Sequence, residues 1–116
     1  MSTIKISRGT TYSIDLYYKK NDVAASLENA TVRFTMKPVE YDDNFDDTTA
    51  LLKKNIIAHT DAPNGHTTVI INPEDTYMLE PDKYNFDIKV EEQSGVIYKL
   101  CEGNILLDGS PTNRIS

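Results

Sequence analysis

Tryptophan is absent from this chain and cysteine occurs once, at Cys101, so an internal disulfide or a cysteine-rich zinc site is excluded. The lone thiol lies in an apolar, strand-like run and reads as a small buried hydrophobe. No apolar stretch approaches the ~20 residues needed to span a bilayer, and the first six residues lack the apolar run of a signal peptide. The expected place of synthesis is therefore a cytosol, and the sequon Asn29-Ala30-Thr31 reads as accidental. Positive charge is short: 18 acidic residues against 12 basic ones leave a formal net charge of −6, which opposes binding to a phosphate backbone or to anionic lipid. Nucleic acid and membrane are not expected as partners. Also missing are any sustained helical period and any alternation of strands with long helical segments.

What is present is alternation. Tyr84, Phe86, Ile88 and Val90 interleave with Asn85, Asp87, Lys89 and Glu91, the period-two pattern of a strand with one dry face. Ser94-Gly95 interrupts it and Val96-Ile97-Tyr98-Lys99-Leu100 resumes, which predicts an antiparallel hairpin. Thr31–Lys37 sets Val32, Phe34 and Met36 against Arg33, Thr35 and Lys37, with Pro38 as terminator, and belongs in the middle of a sheet. Tyr12, Ile14 and Leu16 alternate as well. Thr3–Ile6 makes a short first strand, Lys19–Asp22 a solvated turn, and Thr68–Ile71 a strand stopped near Asn72 by Pro73. Asp75-Thr76 suits a single helical turn, with Leu79 plugging the base of the core. Tyr84 is either a corner tyrosine whose hydroxyl turns back onto upstream backbone or an ordinary core aromatic. Thr48–Lys54 fits a helical turn by local propensity and Lys54–Ala58 looks extended. Gly103 suggests a bulge or a bend. At 116 residues this is one domain, 1–116. Its size suffices to bury roughly two thirds of the unfolded surface without staples. The pattern predicts an all-β sandwich of about seven to nine antiparallel strands.

Two stretches raise the question of a site. Residues 40–47 carry five carboxylates and no base. Asp42, Asn44 and Asp46 match the first three ligand positions of a helix-flanked calcium loop, but Asp47 stands where glycine is needed and Lys53 where a bidentate Glu is needed. A solvated acidic loop is the expectation. His59 and His66 bracket a turn-rich connection that contains Asp61 and Asn64-Gly65. A metal or acid/base pair there is conceivable by residue type, but solvated loop histidines are the commoner case. No nucleophile–base pair or phosphate-binding Gly loop occurs, and no catalytic, metal or cofactor residue is assigned.

Leu27-Glu28-Asn29-Ala30-Thr31-Val32-Arg33-Phe34 resembles the Leu-x-Gly/Asn-Ala-Thr-Val-x-Phe stretch of small immunoglobulin-like domains in bacteriophage tail tips, including the N-terminal domain of baseplate upper proteins and small collar proteins. Asp75-Thr76, Leu79, Pro81, Tyr84, Phe86, Asp87 and Ile88 are similar to a later run of the same family, and Gly95, Tyr98 and Gly103-Asn104-Ile105 follow in order. Asp82 departs from the glycine usual before the tyrosine, which puts that turn's geometry in question. The resemblance implies an immunoglobulin-like antiparallel β-sandwich in which Val32, Phe34, Leu79, Tyr84 and Phe86 define the fold. It implies a structural virion protein of the tail (baseplate, tip or collar), made in the host cytoplasm. Such a protein assembles with itself as a trimer or ring and offers an attachment point to other tail or fibre proteins. It brings no catalytic residue, cofactor or metal.

Sheet edges pair readily with other chains. The expected docking elements are the two termini, 1–6 and 108–116, which otherwise fray, together with the last strand leading into the tail; their apolar residues are Ile4, Ile6, Ile105, Leu107 and Ile115, with Thr3 beside them. The alternative is a carbohydrate- or receptor-binding sandwich using exposed members of Tyr12, Tyr17, Tyr18, Tyr41, Tyr77 and Tyr98. An enzyme built on His59, His66 and Asp61 ranks third.

Overall fold

The computed structural model describes residues 2–39 and 50–109, and the chain is all-β apart from short turns of helix. The acidic stretch 40–47 and Ile115 lie outside the described residues.

The late hairpin is the spine. Strand β8 (Asp82–Glu91) pairs antiparallel with β9 (Ile97–Asp108), and Tyr84, Phe86, Ile88 and Val90 are all at most 6% exposed. At the tip Gly95 adopts φ 93°, where its N–H donates to Glu92 O (2.8 Å) and Glu92 N–H to Val96 O (2.9 Å). On its other side β8 receives β5 (Thr31–Pro38), so that Phe34 stands opposite Ile88 and Met36 opposite Phe86. The Phe34 and Phe86 rings stack 5.8 Å apart. Strand β6 (Leu52–Ile56) pairs with β5, and β1 (Ser2–Ser7) runs parallel to β9. The sheet order is β1-β9-β8-β5-β6.

A second, two-stranded antiparallel sheet joins β2 (Tyr12–Tyr17) and β7 (His66–Ile71). Leu16, Thr67, Val69 and Ile71 point from it into the same core as the inner residues of the larger sheet. The Lys19–Asp22 stretch, expected as a solvated turn, is exposed and belongs to a tight hairpin of β3 (Lys19–Lys20) and β4 (Val23–Ala24). Its two central residues, Asn21 and Asp22, have φ 52° and 64°, the left-handed pair a two-residue hairpin turn requires and Asn and Asp tolerate.

Between β7 and β8 the chain makes a single turn of helix, α1 (Pro73–Thr76), after the proline that stops the strand. Asp75 secures it by accepting from Asn72 N–H at 2.8 Å. Leu79 packs half-buried against the core. Tyr84 is the corner tyrosine of the two readings, since its hydroxyl donates to Glu80 O at 2.5 Å while the ring stays buried.

Two local expectations fail for tertiary reasons. The helical turn over Thr48–Lys54 gives way to β6 in its described part, because Leu52, Lys54 and Ile56 line up on the inner side opposite Met36, Phe34 and Val32. The irregularity expected at Gly103 falls at Leu100, where the β8–β9 register jumps between Ile88–Cys101 and Lys89–Lys99. Gly103 itself pairs in register with Phe86, inside a strand that continues unbroken to Asp108.

Gly65 is irreplaceable on two grounds: φ is +75°, and a Cβ there would sit 2.5 Å from Ala25 O and 2.6 Å from Tyr18 O. Gly65→Ala is expected to destabilise the fold by about 2 kcal/mol or more, read as a lowered urea midpoint. Tyr84→Phe, which keeps the ring and loses the corner bond, should cost about 1 kcal/mol in the same measurement.

Candidate functional site

The docking residues expected at the chain's two ends come together, but facing inward. In the parallel β1–β9 ladder Ile4 lies beside Ile105 and Ile6 beside Leu107, and Ile6, Ile105 and Leu107 are only 1–3% exposed. Their side chains are consumed by the chain's own core. Strand β9 is paired on both sides, so Ile105–Asp108 is no free docking tail. Among the described side chains of β1, Thr3, Lys5 and Ser7 are exposed and Ile4 is half-buried. What this margin offers a neighbour is backbone, and the sequence could not show it because an alternating strand reads alike at an edge or in the middle.

The turn from β1 to β2 is pinned to the base of the core. Arg8 N–H donates to Asp108 O (2.8 Å), Arg8 Nη1 to Leu79 O (3.2 Å) and Gly9 N–H to Thr76 Oγ1 (2.9 Å). These bonds fix the β1–β2 turn to the end of β9 and to the α1 segment.

The two histidines serve different partners. His59 Nε2 faces Ala30 O at 2.8 Å and must carry the proton, because a carbonyl only accepts. Its Nδ1 lies 2.8 Å from Thr67 Oγ1 and accepts from that hydroxyl. Both nitrogens are thus engaged in holding strand to loop. His66 turns to the outer face of the β2–β7 ribbon, stacked on Tyr17 (4.6 Å, 9° between planes) with Nε2 3.3 Å from Asp15 Oδ1. Thr68 Oγ1 donates to the same oxygen at 3.0 Å. The Asp15 carboxyl is held below its ordinary value, first by the Thr68 bond and then by the His66 bond. Asp61 accepts from Asn64 Nδ2 (2.9 Å). The acid and the two imidazoles therefore have separate partners, and among the described residues no three His, Cys, Asp or Glu side chains are grouped to hold a metal ion.

Two of the candidate tyrosines, Tyr18 and Tyr98, lie together with ring centres 6.4 Å apart. Tyr17 is 58% exposed on the ribbon, Tyr98 44% exposed at the start of β9, and Tyr18 3% exposed. Around Tyr18 lies a cluster that sequence reasoning missed. Its hydroxyl donates to Glu92 Oε2 (2.6 Å), and Lys20 Nζ pairs with that same oxygen (2.7 Å). The ammonium also stands 5.7 Å and 5.1 Å from the Tyr18 and Tyr98 ring centres. The cluster ties the small β3–β4 hairpin to the tip of the β8–β9 hairpin. Only the Asn21-Asp22 turn signal could have hinted that Lys20 is placed and not merely solvated.

The chain matches no protein-family model and no curated protein.

Burial, followed by the bond and charge of Glu92, pushes the Tyr18 phenol up to about 12. The stability this supplies is complete below the ordinary value of 10 and is lost as pH rises through about 12. Lys20 first, and Tyr18 second, hold the Glu92 carboxyl below its ordinary value of 4.5. That contribution is present above 4.5 and is lost as pH falls through the lowered value. Absorbance titration of the phenolates should show a late step near 12 that Tyr18→Phe removes, and Glu92→Gln should flatten the acid limb of stability against pH.

Proposed function

We propose that this chain is an immunoglobulin-like structural module of a bacteriophage tail, at the baseplate, tip or collar, which associates with copies of itself and serves as an attachment point for other tail or fibre proteins. The observation that supports the immunoglobulin-like part of the reading is the strand order. In chain order β5, β8 and β9 stand adjacent as the C, F and G strands of an immunoglobulin sandwich do. β6 lies in the C′ place, and β2 pairs with β7 as B pairs with E. The Tyr84 corner bond to Glu80 O falls at the entry to β8, where that fold has its tyrosine corner. Fold alone does not choose a function. The choice of a tail protein rests on the resemblance of Leu27–Phe34 and Asp75–Ile88 to phage tail-tip domains.

A structural role accords with the polar groups described above. His59 and Thr67 join loop to strand, Lys20 and Glu92 join hairpin to hairpin, and Asn104 Nδ2 donates across the outer face to Asn85 Oδ1 at 2.6 Å. Each of these contacts holds backbone segments in register. The outer face of the large sheet is similarly cross-linked, with Arg33 bridging Glu91 (2.9 Å) and Asn55 (3.3 Å).

Antibody raised against the purified protein should decorate one fixed position on the tail of the phage that encodes it, seen by electron microscopy. Negative-stain class averages of the protein itself should show a closed oligomer. Unlabelled virions that contain every other tail protein would refute the assignment.

A further inference from the structure

We propose that β2 is the edge through which two copies of this chain pair, antiparallel about a two-fold axis, so that the β2–β7 ribbon grows into a four-stranded sheet. The inference rests on the self-association proposed above and names its surface.

The two sheets that enclose the core have four edges, and they are not equally guarded. At β6, Lys54 points inward opposite Phe34 and pairs with Asp75 Oδ2 at 2.7 Å, while Lys53 and Asn55 are exposed. An inward lysine is a standard device against edge-to-edge pairing. At β7, His66 exchanges both backbone hydrogen bonds with Asp61 (2.9 and 3.0 Å) and Thr60 Oγ1 meets Thr68 Oγ1 at 3.0 Å, so the preceding segment lies along that edge. β1 carries the exposed Lys5 at its midpoint, as β2 carries Asp15, but its inner Ile6 is already covered at 2% exposure. β2 has no proline and no inward charge, and among the described residues no segment pairs with its outer side.

The core is also less well covered there. Tyr12 and Ile14 are only half-buried, whereas their cross-strand partners Ile71 and Val69 are 1% and 0% exposed. The dry layer continues past β7 and stops at β2. A further strand alongside would complete it, and a two-stranded ribbon gains most from such an addition.

The edge is complementary to itself in one register. Directly opposite residues share a face, so the inward set Tyr12, Ile14 and Leu16 must meet its own kind. Two symmetric pairings give the greatest overlap under that condition. One is centred on Asp15 and sets two carboxylates against each other. The other is centred on Ile14 and sets Tyr12 opposite Leu16 and Ser13 opposite Asp15 of the second copy. The second is favoured, because Ser13 can donate to the carboxylate whose Oδ1 already serves Thr68 and His66.

Sedimentation and disulfide trapping test the proposal together. The wild-type chain should sediment as a dimer or an even-numbered assembly of dimers. Ser13→Glu, which places a second carboxylate against each Asp15 from an exposed outer position, should weaken association roughly tenfold or more, while at concentrations low enough to dissociate both chains its circular dichroism and melting temperature match the wild type. On a Cys101→Ser background, Ser13→Cys mixed with Asp15→Cys should form a covalent dimer that neither variant forms alone. Association that Ser13→Glu leaves intact, with no mixed disulfide, would overturn the β2 edge and leave self-association standing. A chain monomeric at every concentration would overturn both. Disulfide formation by Asp15→Cys alone would overturn the register.

Discussion

Pairing of the first strand with the last is the constraint on which the rest depends. β1 and β9 lie about a hundred residues apart in sequence yet run side by side from Ser2–Gly103 to Ser7–Asp108. Closing a loop of that length costs only about 2 kcal/mol more than closing one of ten residues. It cannot be recovered until the intervening strands are in place, so β1 docks late and the topology folds slowly for its size. Once formed, the pairing buries Ile4 and Ile6 over Ile105 and Leu107 and carries the chain directly into the Arg8–Gly9 turn that meets Thr76 and Leu79. The base of the core and the margin of the sheet are therefore one assembly.

The strands could be read from the sequence wherever period two was clean, as in Thr31–Pro38 and Tyr84–Glu91, because alternation is a local property of a half-buried strand. Pairing could not. Nothing in Thr3–Ile6 says that it runs parallel to the last strand, and so its isoleucines looked available for a neighbour. In Leu52–Lys54, part of the stretch read as a helical turn, real helix propensity is overridden by the row of Met36, Phe34 and Val32 across the sheet. The same non-locality hid Asp15–His66–Tyr17 and Tyr18–Lys20–Glu92, whose members lie about 50 to 75 residues apart in sequence before folding joins them.

Charges on the outer face of the large sheet are partly paired across strands. The large sheet's outer face pairs its ions: Arg33 with Glu91, and Lys99 with Glu102 at 3.2 Å. Exposed pairs of this kind add little stability. Cys101 behaves consistently with its surroundings, since burial, with Asp87 nearby, raises its thiol above the ordinary value and keeps it mostly protonated at neutral pH.

The parallel alignment of β1 and β9 has a mechanical meaning. Force applied through the segments that flank Ser2 and Asp108 acts at opposite ends of the two strands and drags them past each other. Every hydrogen bond of that ladder is then loaded simultaneously, in shear, and none can be unzipped singly. A domain pulled in this way stays rigid under axial tension until the whole ladder gives at once.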